Sequence, residues 1–230
     1  MCGIVGYIGR REAAPIIVEG LKKLEYRGYD SFGVATISGD IKLDKHQGRI
    51  SDLSGSAICL KGKIGIGHTR WATHGVPNDV NAHPHMDCSG RIAVVHNGII
   101  ENYAELKRQL ISRGHTFRSE TDTEVVAHLV EEAYAAEKNL LLAVQKVVPK
   151  LTGSYALLII DVDEDRIIAA RYASPLVLGI GDGEFFAASD MTPVIEHTER
   201  AIFLEDGDIA SLSHEKMEIF HEGKPVSRPL

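Results

Sequence analysis

The sequence opens Met1-Cys2-Gly3-Ile4-Val5-Gly6, and this stretch constrains the fold more than any other. Ile4-Val5 between two glycines reads as a short buried strand. A strand starting there fixes the residue before it at the head of a core element, and that residue carries a thiol. Methionine is usually trimmed before a small second residue, and Cys is small. The processed chain would then hold a thiol and a free α-amine on one residue. An α-amine has a pKa of about 8, against about 10.4 for lysine, so part of it is free base at neutral pH. Such an amine can activate a weak nucleophile, and Gly3 would let a substrate approach the backbone closely. Taken alone, Cys2 reads rather as an inert buried thiol, as most cysteines are.

At 230 residues with 44% apolar content, the chain suits one large domain with a real core. Lys plus Arg is 25 and Asp plus Glu is 32, a formal charge of −7. No basic patch stands out, so no nucleic-acid partner is expected. No apolar run approaches the roughly 18 residues that span a bilayer, and no secretory signal opens the chain; no membrane partner is expected. The three cysteines, Cys2, Cys59 and Cys88, include no C-x-x-C pair. That argues against a disulfide framework and against a structural zinc site. A reducing cytoplasm fits, and would keep Cys2 a thiol.

In chain order, 12–25 has apolar residues at helical spacing, with Pro15 in the first turn where it is tolerated. The stretch 24–31 lacks periodicity and reads as a loop. Strands are predicted at 32–38 and 41–46 around a Gly39-Asp40 turn, and 49–60 is weakly helical. A strand over 64–70 leads into a long loop through about 90, a length that usually marks function. An apolar strand at 92–95 ends at His96-Asn97-Gly98. Helices are predicted over 101–113, over 125–136 after a capping box at Thr121-Asp122-Thr123-Glu124, and over 140–150. From Ser154 the texture turns to strands at 156–161, 166–172, 176–180, 185–188, 201–204 and 209–212, with hairpin turns at Asp163-Glu164-Asp165 and Asp182-Gly183. Residues 221–230 look like the start of a linker, after a domain over 1–220. Strands with helices grouped mid-chain predict packed sheets covered by helices. No G-x-G-x-x-G opens a helix, which argues against a dinucleotide site.

Several residues can carry chemistry. Asn97 and the Gly98 N–H, side by side after a strand, can bind the negative oxygen of a tetrahedral intermediate, or form a common Asn-Gly turn. Arg70, at a strand end, can fork onto a carboxylate or make a surface ion pair. Asp122 can hold an ammonium or cap a helix. Trp71, the one tryptophan, fits a lid or a core position. His68, His74, His83, His85 and His96 lie between strand ends, but their spacing matches no standard ligand set, so no metal is expected.

Together these stretches resemble the class II glutamine amidotransferases, the N-terminal-nucleophile hydrolase type. The match rests on Met1-Cys2-Gly3-Ile4-Val5-Gly6, Arg70, His96-Asn97-Gly98 and Asp122. Within that family, 24–31, 68–75, 81–85, 96–102 and 119–124, with Ser174-Pro175-Leu176 and Ala188-Ser189-Asp190, look like the glutaminase domain of the glucosamine-6-phosphate synthases. The resemblance covers essentially the whole chain. It implies an α+β fold, a four-layer αββα sandwich. It implies Cys2 as nucleophile with its α-amine as base, and Asn97 with Gly98 as the oxyanion hole. Arg70 and Asp122 would grip the α-carboxylate and α-ammonium of L-glutamine. Thr73 and His74 would shape the pocket, Trp71 would gate it, and Arg27 would lie near it. L-Glutamate would be the product, and the ammonia would pass to fructose 6-phosphate through a sugar-isomerase domain absent from this sequence. The rivals are another class II amidotransferase, against which 24–31 and 68–75 argue, and a non-catalytic glutamine-sensing module.

Overall fold

The structure, a computed structural model, describes residues 2–53 and 58–230. In chain order the elements are β1 (Gly3–Ile8), α1 (Ala13–Lys23), β2 (Ser31–Ser38), β3 (Asp40–Gln47), β4 (Ile64–Arg70), β5 (His85–Met86) and β6 (Ile92–Ile100). Then come α2 (Tyr103–Ser112), α3 (Glu124–Glu137), α4 (Leu140–Val147), β7 (Gly153–Asp161), β8 (Glu164–Tyr172), β9 (Val177–Ile180) and β10 (Phe185–Ala188). The chain closes with β11 (Ala201–Phe203), β12 (Asp208–Ser213), β13 (Met217–His221) and β14 (Lys224–Val226).

The strands form two seven-stranded sheets, ordered β11-β9-β10-β1-β4-β2-β3 and β14-β13-β12-β8-β7-β6-β5. β1 lies inside the first sheet, paired with β10 and β4. Side chains alternate faces along a strand, so an interior strand covered on both sides must be apolar at nearly every position. That is why the opening stretch has no polar residue after Cys2. Ile4 and Ile8 enter a core between the sheets with Ile66, Val95, Leu158 and Ile167. Val5 and Tyr7 face the other way, against Ile17 and Leu21 of α1. The far side of the second sheet, with Ile92, Val94, Leu157 and Ile159, packs on Leu106, Val126, Leu129 and Val144 of α2–α4. These three cores define four layers, the αββα sandwich expected from the sequence.

Some local expectations change. β6 runs on to Ile100, because β7 continues to pair with it as far as Ile100↔Gly153, so His96, Asn97 and Gly98 stand on the strand itself. The capping box at the start of α3 does not form: the Thr121 hydroxyl bonds to Ser119 and His85 instead, and Thr123, the residue at the cap position, makes no side-chain cap bond. Its hydroxyl instead bridges His83 and His96. Glu124 accepts from the N–H groups of Arg118 and Ser119 and from the Ser119 hydroxyl. Burial opposes that carboxylate, yet His128, Ser119 and the two backbone donors hold its pKa down to about 2. Of the helix expected over 49–60, a single 3-10 turn, Ile50–Asp52, is present, and 54–57 lie outside the described residues. The 221–230 stretch, expected to open a linker, begins as sheet: β13 and β14 pair from Ile219↔Val226 to His221↔Lys224, and Arg228 closes on buried Asp208 through two hydrogen bonds.

Candidate active site

Cys2 stands at the head of β1, half-buried. It lines a cavity of about 410 Å³ with Arg27, Trp71, Thr73, Asn97 and Gly98. The floor comes from both sheets. β1 and the end of β4 bring Cys2 and Trp71 from one sheet, and β6 brings Asn97 and Gly98 from the other. The remaining wall is Ser154 and Ala173-Ser174-Pro175.

The thiol meets the Trp71 backbone, with Sγ 3.6 Å from the Trp71 carbonyl oxygen. The Trp71 backbone N–H donates to Cys2 Sγ at 3.2 Å. Burial pushes the thiol pKa up, and the Trp71 N–H and the Arg70 charge only partly offset it. A resting thiol of that kind is protonated at neutral pH, so attack requires a base. The Cys2 carbonyl is held twice, by Asn97 Nδ2 at 2.9 Å and by Arg27 Nε at 3.2 Å. Arg27 in turn pairs with Asp190 at 3.1 Å, and the Ser189 hydroxyl accepts from the Ile4 N–H at 3.0 Å.

Asn97 is aimed from behind. His68 Nε2 lies 3.1 Å from Asn97 Oδ1 and 2.9 Å from the His96 carbonyl oxygen. Two acceptors facing one ring nitrogen place the proton there. Burial keeps the ring neutral, with its pKa lowered to about 3. The bond crosses from β4 in one sheet to β6 in the other. It orients the amide so that Nδ2 faces Cys2, and an amide nitrogen carries two protons. Gly98 has φ of +131°, a conformation that L side chains rarely adopt. An added Cβ there would meet the Ser154 carbonyl oxygen at 2.0 Å. Gly3 serves packing rather than substrate access: a Cβ would strike Thr69 Oγ1 at 2.6 Å and Leu24 Cβ at 2.7 Å.

Arg70, His74 and Asp122 are not among the residues lining the cavity. Arg70 is 3% exposed. Its Nη2 donates to the carbonyls of His74 and Gly75, while its buried Nη1 has no partner. His74 thus contributes a main-chain oxygen that holds Arg70, and its ring stacks edge-on to Tyr103 at 5.4 Å. Asp122 is buried and accepts the Ile100 N–H at 2.8 Å. Trp71 is 45% exposed with its ring edge-on to Tyr29 at 5.5 Å. The supporting roles of His68, Ser189 and Asp190 do not show in the sequence. No spacing rule connects β4 to β6 or position 27 to 190; only the sandwich does.

Among the described residues, none of the histidines considered as ligands falls in a group of ligating atoms close enough to share an ion. His68, His83 and His85 stack at 4.1 and 4.6 Å between ring centroids. Burial lowers the pKa of His83, His85 and His96. Among the described residues no helix is long and apolar enough to cross a membrane.

Known proteins align with this arrangement. A profile described as a glutamine amidotransferase domain matches residues 68–196. A glutamine–fructose-6-phosphate aminotransferase (isomerizing) from Thermococcus kodakarensis is 53% identical over 100% of this chain and 39% of its own length. The protein of that name from Pyrococcus horikoshii is 56% identical over 93% of this chain and 36% of its length. The chain therefore spans less than two fifths of these curated relatives. Among solved structures, the glutamine phosphoribosylpyrophosphate amidotransferase of B. subtilis superposes with a TM-score of 0.83 at 30% identity, covering 96% of this chain and 49% of that one. A glutamine aminotransferase class-II domain protein from Silicibacter pomeroyi, 14% identical with a TM-score of 0.61, shares the fold over 98% of this chain and 100% of its own. A cysteine at the head of the first strand, an αββα sandwich and these relationships lead to one assignment: the chain belongs to the class II glutamine amidotransferases.

Proposed function

We propose that the chain hydrolyses the side-chain amide of L-glutamine to L-glutamate and ammonia, with Cys2 as nucleophile once Met1 is removed. The observation that carries this is the meeting of Cys2, Asn97 and Gly98 on one cavity wall. The α-amine takes the thiol proton, and Sγ bonds to the amide carbon as the C=O electrons move to oxygen. Asn97 Nδ2 and the Gly98 N–H receive that oxyanion, the role such donors fill in acyl transfer. Collapse expels ammonia, which leaves with the proton returned from the ammonium. Water then attacks the thioester, gives a proton to the amine and breaks the C–S bond, releasing glutamate and the thiol. The unpartnered Nη1 of Arg70 suits the α-carboxylate, and Asp122 suits the α-ammonium. Thr73 and Trp71 close the mouth, with Trp71 as the gate, and Arg27 holds the Cys2 carbonyl. The hydrolysis needs no metal and no cofactor, and a reducing cytoplasm preserves the thiol.

The names of the long relatives carry the reading further: the ammonia passes to fructose 6-phosphate in a sugar-isomerase part beyond residues 221–230. Amide-labelled glutamine given to the complete gene product should place its label in the amino sugar phosphate; label found only as free ammonia contradicts this step. Glutamate release from glutamine by protein with a verified free Cys2 tests the hydrolysis. Tight glutamine binding without turnover would instead mean a sensing module.

A further inference from the structure

A second thiol gathers a different set of groups. Cys88, just past β5, lies with its Sγ 3.5 Å from His115 Nδ1 and 3.5 Å from His128 Nδ1. Glu131 Oε2 lies 3.1 Å from that same His115 nitrogen and 3.3 Å from the same His128 nitrogen. One sulfur, two imidazole nitrogens and one carboxylate oxygen all fall within 4.8 Å of one another. A tetrahedral ion with bonds of about 2.3 Å to sulfur and about 2.0–2.1 Å to nitrogen and oxygen places sulfur and nitrogen about 3.6 Å apart and nitrogen and oxygen about 3.3 Å apart. The observed separations fall close to those values. Hydrogen bonding alone explains the convergence poorly. Each Nδ1 has one position for either a proton or a lone pair, yet each faces the sulfur and the oxygen at once.

His115 Nε2 is 3.1 Å from Glu132 Oε1. A carboxylate behind a ligating histidine holds the proton on the far nitrogen and leaves the near lone pair for a metal. His128 Nε2 is buried 3.6 Å from Glu124 Oε1 and makes no hydrogen bond. The sulfur is supported too: the Thr116 N–H donates to Cys88 Sγ at 3.4 Å. His128 and Glu131 lie at i and i+3 on α3, one face of one helix. Cys88 and His115 reach it from separate loops. Cys88 is exposed and His128 buried, so an ion can enter from solvent and be held against the helix.

We propose that Cys88, His115, His128 and Glu131 form a structural zinc site. Thiolate, two imidazoles and a carboxylate match zinc's ligand preferences, and four protein ligands leave no open position for catalysis. The ion clamps the end of the 71–90 loop and the α2–α3 connection onto α3, the helix whose entry segment carries Asp122. The sequence alone conceals the site, because no two ligands but His128 and Glu131 are near in the chain.

Zinc content of the purified protein, measured by elemental mass spectrometry, tests this. One zinc per chain is expected in the wild type, Cys2→Ser and Cys59→Ser, falling to background in Cys88→Ser and in His115→Ala, whose side chain lies outside the core. Cobalt-loaded wild type should show a thiolate-to-cobalt charge-transfer band that Cys88→Ser lacks. Chelation should lower the melting temperature of the wild type by several degrees and leave Cys88→Ser, already lowered, unmoved. Binding no tighter than micromolar, zinc that departs with Cys2 rather than Cys88, or a cobalt spectrum without the sulfur band would each overturn the proposal.

Discussion

The two thiols make the most informative comparison in the molecule. At Cys2 the Trp71 N–H donates to the sulfur, the Asn97 amide donates to the residue's own carbonyl, and the Arg70 charge lies near. Around Cys88 two imidazole nitrogens and a carboxylate oxygen converge on one point, with the Thr116 N–H behind the sulfur. Donors suit a negative charge that appears and disappears during a reaction. Converging lone pairs suit a cation that stays. Cys2 also opens on a cavity of about 410 Å³, and Cys88 does not line it. In the roles proposed for them, the same residue type serves turnover in one place and a fixed ion in the other, and the neighbours rather than the sulfur make the difference.

The largest effect that separates the two lies at Cys2. Retained Met1, or Cys2→Ser, should lower glutamine hydrolysis by at least the roughly 10²–10⁴-fold typical of losing a general base, with the fold intact by circular dichroism. Cys88→Ser should leave kcat within a few-fold of wild type. A fully active Met1-bearing protein, shown by intact mass, would remove the α-amine from the mechanism. The pH profile sharpens this: the base must be unprotonated, so the rate should rise with pH through the amine's pKa of about 8.

Next comes the oxyanion hole. Asn97→Ala should lower kcat by about 10²–10³-fold with little change in KM, because the oxyanion exists only along the reaction path. His68→Gln should give a smaller kcat loss, since it aims Asn97 without touching substrate. An Asn97→Ala effect confined to KM would assign that amide to binding instead.

Smaller again are the grips on parts of glutamine that do not react. Arg70→Ala and Asp122→Ala should raise KM about ten- to a hundredfold, the worth of a hydrogen bond to a charged group of about 1.5–3 kcal/mol. If kcat fell while KM held, these residues would be positioning the reacting amide.

The smallest effect per residue concerns stability. His68, His83, His85 and His96 are buried and neutral, with pKa values below the usual histidine range. The unfolded chain therefore binds protons at about pH 6.5 that the folded chain refuses. Their contribution is complete above that pH and is lost as pH falls toward the folded values, for His68 about 3. Each can cost up to about 1.4 kcal/mol per pH unit. The urea midpoint should fall between about pH 6.5 and about pH 5, above the range where carboxylates titrate. A flat midpoint there would mean that these rings are protonated or solvated in the folded state.

What was legible in the chain obeys local rules. β4 and Phe185–Ala188 appear at the predicted residues, and β1 could be read because burial on both faces leaves an unbroken apolar run. Asn97 and Gly98 stood out as a pair, and Cys2 by its place. What was hidden depends on contacts across the sandwich. The extension of β6 to Ile100 needed β7 beside it. The Thr121 and Thr123 hydroxyls are both taken by buried histidines, His85 for the first and His83 with His96 for the second, so neither caps α3. The His68–Asn97 bond joins two sheets, and the Cys88 cluster joins four residues of which only two share an element. The β13–β14 hairpin is short, and its Gly223 and Pro225 mimic a linker.

One measurement addresses the central claim about Cys2 most directly. The protein, with Met1 removal verified by intact mass, is treated with a glutamine-like electrophile and the modified cysteine is located by peptide mapping. A single adduct on Cys2 is predicted, blocked by excess L-glutamine and absent when Met1 is retained, with Cys59 and Cys88 unlabelled. Labelling of Cys88 at an equal rate, or of Cys2 regardless of Met1, would contradict a nucleophile activated by its own α-amine.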